Sequence, residues 1–109
     1  MTLEISPQEA QTRLAQEGRA VLVDVREPWE YTTARIAGSK LVPMQTVPGG
    51  LQSLEGLADE RELLVICHHG VRSLQVVAWL RERGIENCFS VAGGIDQWSR
   101  EVDPEVPRY

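Results

Sequence analysis

Apolar residues come in two rhythms that alternate along this chain. Short continuous runs of β-branched and leucine residues, "AVLVDV" at residues 20 to 25 and "ELLVIC" at residues 62 to 67, predict strands buried on both faces. "NCFSVAGG" contains a further short strand, and "LEIS" near the start a weaker one. Between them, apolar positions recur at helical spacing. "SPQEAQTRLAQEG" predicts a helix with Ser6 as N-cap, Pro7 at the first helical position, Glu9 completing a capping box and Gly18 as the stop. "PWEYTTARIAG" predicts a short helix after Pro28, and in "VPGGLQSLEGLADE" turn residues give way to an amphipathic pattern. The strongest helix runs from about Arg72 to Arg83. Leu74, Val77 and Ala78 lie on one side of it, Val76 and Leu80 extend the apolar arc, and Gly84 ends it. "IDQWSREV" predicts a last helix with Ile95 and Trp98 inward, and Trp29 and Trp79, like Trp98, read as core or helix-packing residues.

Strands alternating with helices at this spacing predict an α/β fold, a mainly parallel sheet with helices on both faces. Ligands in such sheets bind beyond the carboxyl ends of the strands. Three features fall on that edge: Asp24 to Arg26, Cys67, and Gly93-Gly94.

Composition narrows the picture. With 109 residues, 42% of them hydrophobic, the chain is expected to form one domain over residues 1–109. Its formal net charge of −5 argues against nucleic acid as a partner. Cys67 and Cys88 make neither a disulfide framework nor a paired zinc-ligand spacing, so a reducing compartment is expected. "MTLEISPQEA" lacks the basic-then-apolar character of a secretory signal. No apolar run approaches the roughly 18 residues that would span a bilayer. The expectation is a cytoplasmic protein with no membrane partner.

The stretch "CHHGVRS", residues 67 to 73, carries the chemistry. A loop turning from a strand into a helix points successive backbone N–H groups inward, at the positive end of the helix, which favours an anion. Gly70 lets the backbone curl, and those N–H groups together with Arg72 would stabilise a thiolate at Cys67. Cys67 is therefore a candidate nucleophile; the competing reading is a buried structural thiol. His68 and His69 are read as substrate contacts or loop filler, because adjacent residues on a tight loop converge poorly on one metal ion. Asp24 is expected to orient Arg26 or to bind loop N–H groups, a structural part, since a thiolate needs no general base. Cys88 reads as inert core. Gly93-Gly94 reads as a point of close backbone approach beside the loop, because no phosphate-binding glycine pattern surrounds it.

"LVDVREPWEY", "RIAGSKLVP", "CHHGVRS" and "VAGGIDQW", in this order, resemble the single-domain rhodaneses, the thiosulfate sulfurtransferases, over essentially the whole chain. The resemblance implies a five-stranded parallel sheet between helices. It implies that Cys67 carries sulfur, that His68, His69, Gly70, Val71, Arg72 and Ser73 form the cradle around it, and that Asp24 and Arg26 support it. The implied reaction is a double displacement from thiosulfate or a persulfide donor to a thiol or cyanide acceptor, through a Cys67 persulfide and with no metal or organic cofactor. Arg35, Ala37, Ser39 and Leu41 depart from the family's usual H-I-P-G-A and N-I-P residues, away from the cysteine loop.

Two other functions compete. "VDPEVPRY" resembles the tail of rhodanese domains joined to adenylyltransferases that act on sulfur-carrier proteins, which would make the chain a protein-to-protein sulfur relay. Packing of Tyr109 on the chain's own surface accounts for those residues equally well. Cell-cycle phosphatases share this fold and place cysteine and arginine on an anion-binding loop, but their loop is one residue longer than the four that separate Cys67 from Arg72.

Overall fold

Residues 2–109 are described by a computed structural model. The strands are β1 (Glu4–Ile5), β2 (Ala20–Asp24), β3 (Lys40–Leu41), β4 (Glu62–Ile66) and β5 (Cys88–Val91). The helices are α1 (Pro7–Ala15), α2 (Pro28–Thr33), α3 (Leu51–Ala58), α4 (Val71–Glu82) and α5 (Gly94–Glu101), with two single 3-10 turns at Met44–Thr46 and Pro48–Gly50. The strands form one sheet in the order β1-β5-β4-β2-β3, and every pairing is parallel. The α/β architecture expected from the apolar rhythm is therefore present, with five parallel strands. Among the described residues no helix is long and apolar enough to cross a membrane.

Side chains alternate across a strand, so a run apolar at every position must be covered on both faces. Leu63, Val65 and Cys67 enter one core with Val23, Val25, Leu54, Val76, Val77 and Leu80. Leu64 and Ile66 enter the other with Ala10, Leu22, Val91, Ile95 and Trp98. Thus α3 and α4 cover one face of the sheet and α1 and α5 the other. Ser6 Oγ accepts the Glu9 amide at 3.0 Å, the N-cap bond expected for α1.

Two expectations are corrected. The buried stripe of α4 is Ser73, Val76, Val77 and Leu80, whereas Leu74 and Ala78 are only half-buried. The stripe keeps helical spacing but begins on a serine, because its first inward position faces the Cys67 sulfur and not apolar core. Trp29 is not a core residue: it is 63% exposed. The short helix α2 turns Glu30 inward, leaving Trp29 outside with its ring edge-on to Tyr109.

Since β5, β4 and β2 are neighbours, the segments beyond their carboxyl ends meet at one edge. That edge holds the Cys67 loop between Asp24–Arg26 and Gly93-Gly94.

Candidate active site

Cys67 follows directly on β4 and is 1% exposed. Gly70, with φ at +100°, caps α4 in a conformation that a side chain would strain. The reversal turns backbone donors onto the sulfur: the Gly70 N–H lies 3.0 Å from Sγ and the Ser73 N–H 3.3 Å. Sγ also lies 3.3 Å from the Ser73 hydroxyl, which is bonded at 2.7 Å to the hydroxyl of Ser90 on β5. Both serines have no exposed surface. The sulfur thus sits at the N-terminal end of a three-turn helix, facing two backbone donors.

Helix α5 fixes the other side of the loop. The N–H of Ile95 donates to the Cys67 carbonyl at 2.8 Å and that of Asp96 to the His68 carbonyl at 3.1 Å. A Cβ on Gly94 would collide with those same carbonyls, and its φ of +62° already disfavours a side chain. The expected role of Gly93-Gly94 as a point of close approach matches this packing, and the first amides of α5 are used on the loop itself.

The Arg72 guanidinium, expected to add its charge to the cradle, is itself held in a two-pronged pair with Glu30, at 2.7 and 3.0 Å. Glu30 is 4% exposed, and a carboxylate that deep requires a cation. Its remaining acceptor positions take the Glu27 N–H at 2.9 Å and the Tyr109 hydroxyl at 2.7 Å. Hydrogen bonds from Arg72 outweigh burial and hold the Glu30 carboxyl down at about 2, against an ordinary 4.5. The same pairing raises the Arg72 guanidinium further above its usual range.

A second ion pair lies beneath. Asp24 takes the Arg26 side chain through Nε at 2.9 and 3.1 Å and Nη2 at 2.7 Å, and also accepts the Arg26 amide. The remaining guanidinium donors reach the carbonyls of Glu30 and Ala34 and the Tyr109 hydroxyl. Burial opposes the charge on Arg26, but bonds to Asp24 and Tyr109 overcome it and raise its pKa. Asp24 therefore serves Arg26 and not the cysteine loop.

The depressed carboxyl of Glu30 has a consequence in acid. Its contribution to stability is complete above pH 4.5 and disappears as pH falls toward about 2, because below that the folded state no longer binds fewer protons than the unfolded chain. Chemical denaturation between pH 5 and 2 should therefore show a steeper loss of stability in the wild type than in Glu30→Gln. Parallel curves would contradict the assigned pairing.

Among the other loop residues, His68 is half-buried and stacks between His69 (centroids 3.9 Å apart) and Tyr109 (4.0 Å, planes within 8°). Burial first, and then the neighbouring His69, push the His68 pKa down. His69 is exposed, and Val71, 66% exposed, projects from the loop as Trp29 does from α2. Arg35 lies over the ring of Tyr31, its guanidinium carbon 5.1 Å from the centroid. Cys88 is buried, and burial pushes its thiol pKa up. It pairs with Leu63, four residues before Cys67, which puts it roughly 13 Å away along the strands and beyond disulfide reach.

Glu30, Ser90 and Tyr109 complete the site and were not singled out for it by their sequence positions. Glu30 reads as a helix-start residue at the third position after its cap, and Ser90 as part of a strand. Tyr109 alone left a signal, as an aromatic in a tail that carries two prolines, Pro104 and Pro107.

A rhodanese-like domain model matches residues 6–101. The chain belongs to the rhodanese-like family. This rhodanese-like chain is similar to the thiosulfate sulfurtransferase GlpE of Haemophilus influenzae, being 38% identical over 102 residues that cover 93% of it and 91% of the relative. It is 30% identical over 105 residues to the probable adenylyltransferase/sulfurtransferase MoeZ of Mycobacterium tuberculosis, where 96% of the chain matches 26% of that longer protein. A rhodanese-like/PpiC domain-containing chloroplastic protein of Arabidopsis thaliana is likewise longer, the chain spanning 30% of its length. In three dimensions the chain superimposes on the crystal structure of a rhodanese-related protein from Thermoplasma volcanium with a TM-score of 0.81 at 31% identity, covering 97% of this chain and 98% of that one.

Proposed function

We propose that the chain is a sulfurtransferase that moves sulfane sulfur from thiosulfate or a persulfide donor to a thiol or cyanide acceptor through a persulfide on Cys67. The observation that carries this reading is the pair of backbone donors on Sγ, the Gly70 and Ser73 N–H groups at the N-terminal end of α4. Backbone N–H groups aimed at the sulfur are the partners an attacking thiolate or a persulfide needs.

In the first half-reaction the Cys67 thiolate attacks the outer sulfur of thiosulfate. A new S–S bond forms, the old one breaks, and sulfite leaves with the bonding pair. In the second, an acceptor thiolate or cyanide attacks the outer sulfur of the persulfide and Cys67 departs as thiolate, so no proton or electron from outside is required. With Sγ almost wholly covered, the loop suits a donor whose reacting sulfur is terminal and slender.

The phosphatase reading is disfavoured by the Cys67-to-Arg72 spacing and by Arg72 itself. One N–H on each terminal nitrogen of that side chain is held by Glu30, which turns the guanidinium toward α2. A relay between proteins remains a second reading. It is favoured by the likeness to MoeZ and by two large apolar side chains, Trp29 and Val71, exposed around the loop where a protein acceptor could dock.

One preparation tests enzyme against phosphatase. Mass spectrometry after incubation with thiosulfate should find one added sulfur on the peptide containing Cys67, with thiocyanate formed when cyanide follows, and no hydrolysis of aryl phosphates. Cys67-dependent phosphate release without sulfur loading would overturn the proposal.

A further inference from the structure

A chain of hydrogen bonds runs from the bottom of the site to the cysteine loop. Asp24 holds Arg26, Arg26 donates to the Tyr109 hydroxyl at 2.8 Å, that hydroxyl donates to Glu30 at 2.7 Å, and Glu30 holds Arg72. Charges alternate along it, so each carboxylate has a cation. The neutral Tyr109 hydroxyl joins the two ion pairs, accepting from one and donating to the other. Burial pushes the Tyr109 phenol up to about 12, so this donor is intact throughout the neutral range.

The far end of the chain bears on the sulfur. Arg72 lies in the first turn of α4, between the Gly70 and Ser73 amides that face Sγ. Tyr109 holds the same loop from its other arm, its ring parallel to that of His68. None of these groups is within hydrogen-bonding distance of Sγ among the contacts that the described residues make; they act through the loop.

We propose that Tyr109 and Glu30 are positioning residues for sulfur transfer. Glu30 fixes the first turn of α4 through Arg72, and Tyr109 locks Glu30 to Arg26 while clamping His68, so that the C-terminal tail sets the aim of the Gly70 and Ser73 amides at Sγ. The chemistry assumed is that of the sulfurtransfer reading.

Because these residues touch neither sulfur nor donor, their loss should slow the chemical step and leave donor binding largely alone. Quenched-flow mass spectrometry of Cys67 sulfur loading, over a range of thiosulfate concentrations and well below the unfolding temperature, separates the two. Tyr109→Phe keeps the ring stack and removes only the hydroxyl. It should lower the saturating rate about five- to tenfold, the worth of one ordinary hydrogen bond, with half-saturation within about twofold of the wild type. Glu30→Gln should cost about tenfold or more. Since Glu30 acts through Arg72, the double variant Glu30→Gln/Arg72→Ala should load no more slowly than Arg72→Ala alone.

Wild-type loading rates in Tyr109→Phe and Glu30→Gln, with only a lowered melting temperature, would reduce both residues to structural supports and overturn the proposal. So would multiplicative losses in the double variant. If the wild type loads no sulfur at all, the sulfurtransfer reading falls, and the network is judged instead by iodoacetamide alkylation of Cys67. The same variants should then change its rate by at least about threefold, with the same lack of additivity. An unchanged rate overturns the proposal on that arm as well.

Discussion

Cys67→Ser should abolish sulfur transfer from thiosulfate to cyanide, a loss on the order of 10³-fold or more, while the folded structure survives. A serine hydroxyl fits the same donors: the Gly70 and Ser73 amides and the Ser73 hydroxyl can bond to oxygen as they do to Sγ. It cannot, however, ionise in the neutral range or form a persulfide. Circular dichroism and the denaturation midpoint should therefore stay near the wild type while turnover and sulfur loading vanish together. Cys88→Ser is the control. That thiol is fully buried on the face of β5 packed against α4, within 3.3 Å of the Ile85 carbonyl, and a hydroxyl can donate to the same oxygen. Most activity should remain, with a stability cost of about 1–2 kcal/mol for a polar group in an apolar site. Substantial turnover by Cys67→Ser would remove Cys67 as nucleophile and shift attention to Cys88.

The two halves of this result were not equally legible in the sequence. The strands, the loop that follows β4 and the tight approach of Gly93-Gly94 are written in local patterns: unbroken apolar runs, a cysteine at a strand end, glycines at fixed offsets. Each depends on residues a few positions apart, and each has one economical backbone solution. The commitment of Arg72 is of another kind. Its partner Glu30 lies 42 residues away in sequence, and Tyr109 lies 79 residues from Glu30. Nothing in "PWEYTT" distinguishes a glutamate that merely starts a helix from one that anchors the loop after β4. From the sequence alone, an arginine beside a reactive cysteine therefore reads as a charge near the sulfur, with no sign of its carboxylate partner. Trp29 failed for a related reason: a tryptophan on a short helix is normally inward, but α2 spends its inward position on Glu30, and the indole is left outside. The sheet edge was predictable from pattern, whereas the charge balance at that edge depends on which chain segments the topology brings together.

That balance rests on Arg26, and its replacement should have the largest effect on stability. Arg26→Leu is expected to destabilise the fold by about 3–5 kcal/mol, a large fraction of the roughly 5–15 kcal/mol that holds a domain of this size together. Arg26 has no exposed surface, and its guanidinium meets Asp24, the carbonyls of Glu30 and Ala34, and the Tyr109 hydroxyl. Leucine would leave the Asp24 carboxylate, itself 1% exposed, without its cation, and the Ala34 carbonyl without its donor, while the Glu30 carbonyl keeps the Ala34 N–H. Arg26→Lys keeps the charge but cannot fork between Asp24, the carbonyls and Tyr109, so it should recover only part of the loss. The cost comes mainly from stranding Asp24, so Asp24→Asn/Arg26→Leu should be less destabilised than the sum of its two single changes. Urea denaturation of the four variants and the wild type at pH 7 measures this directly. A loss below about 1 kcal/mol for Arg26→Leu, or strictly additive costs in the double variant, would mean that water or a rearranged loop compensates Asp24.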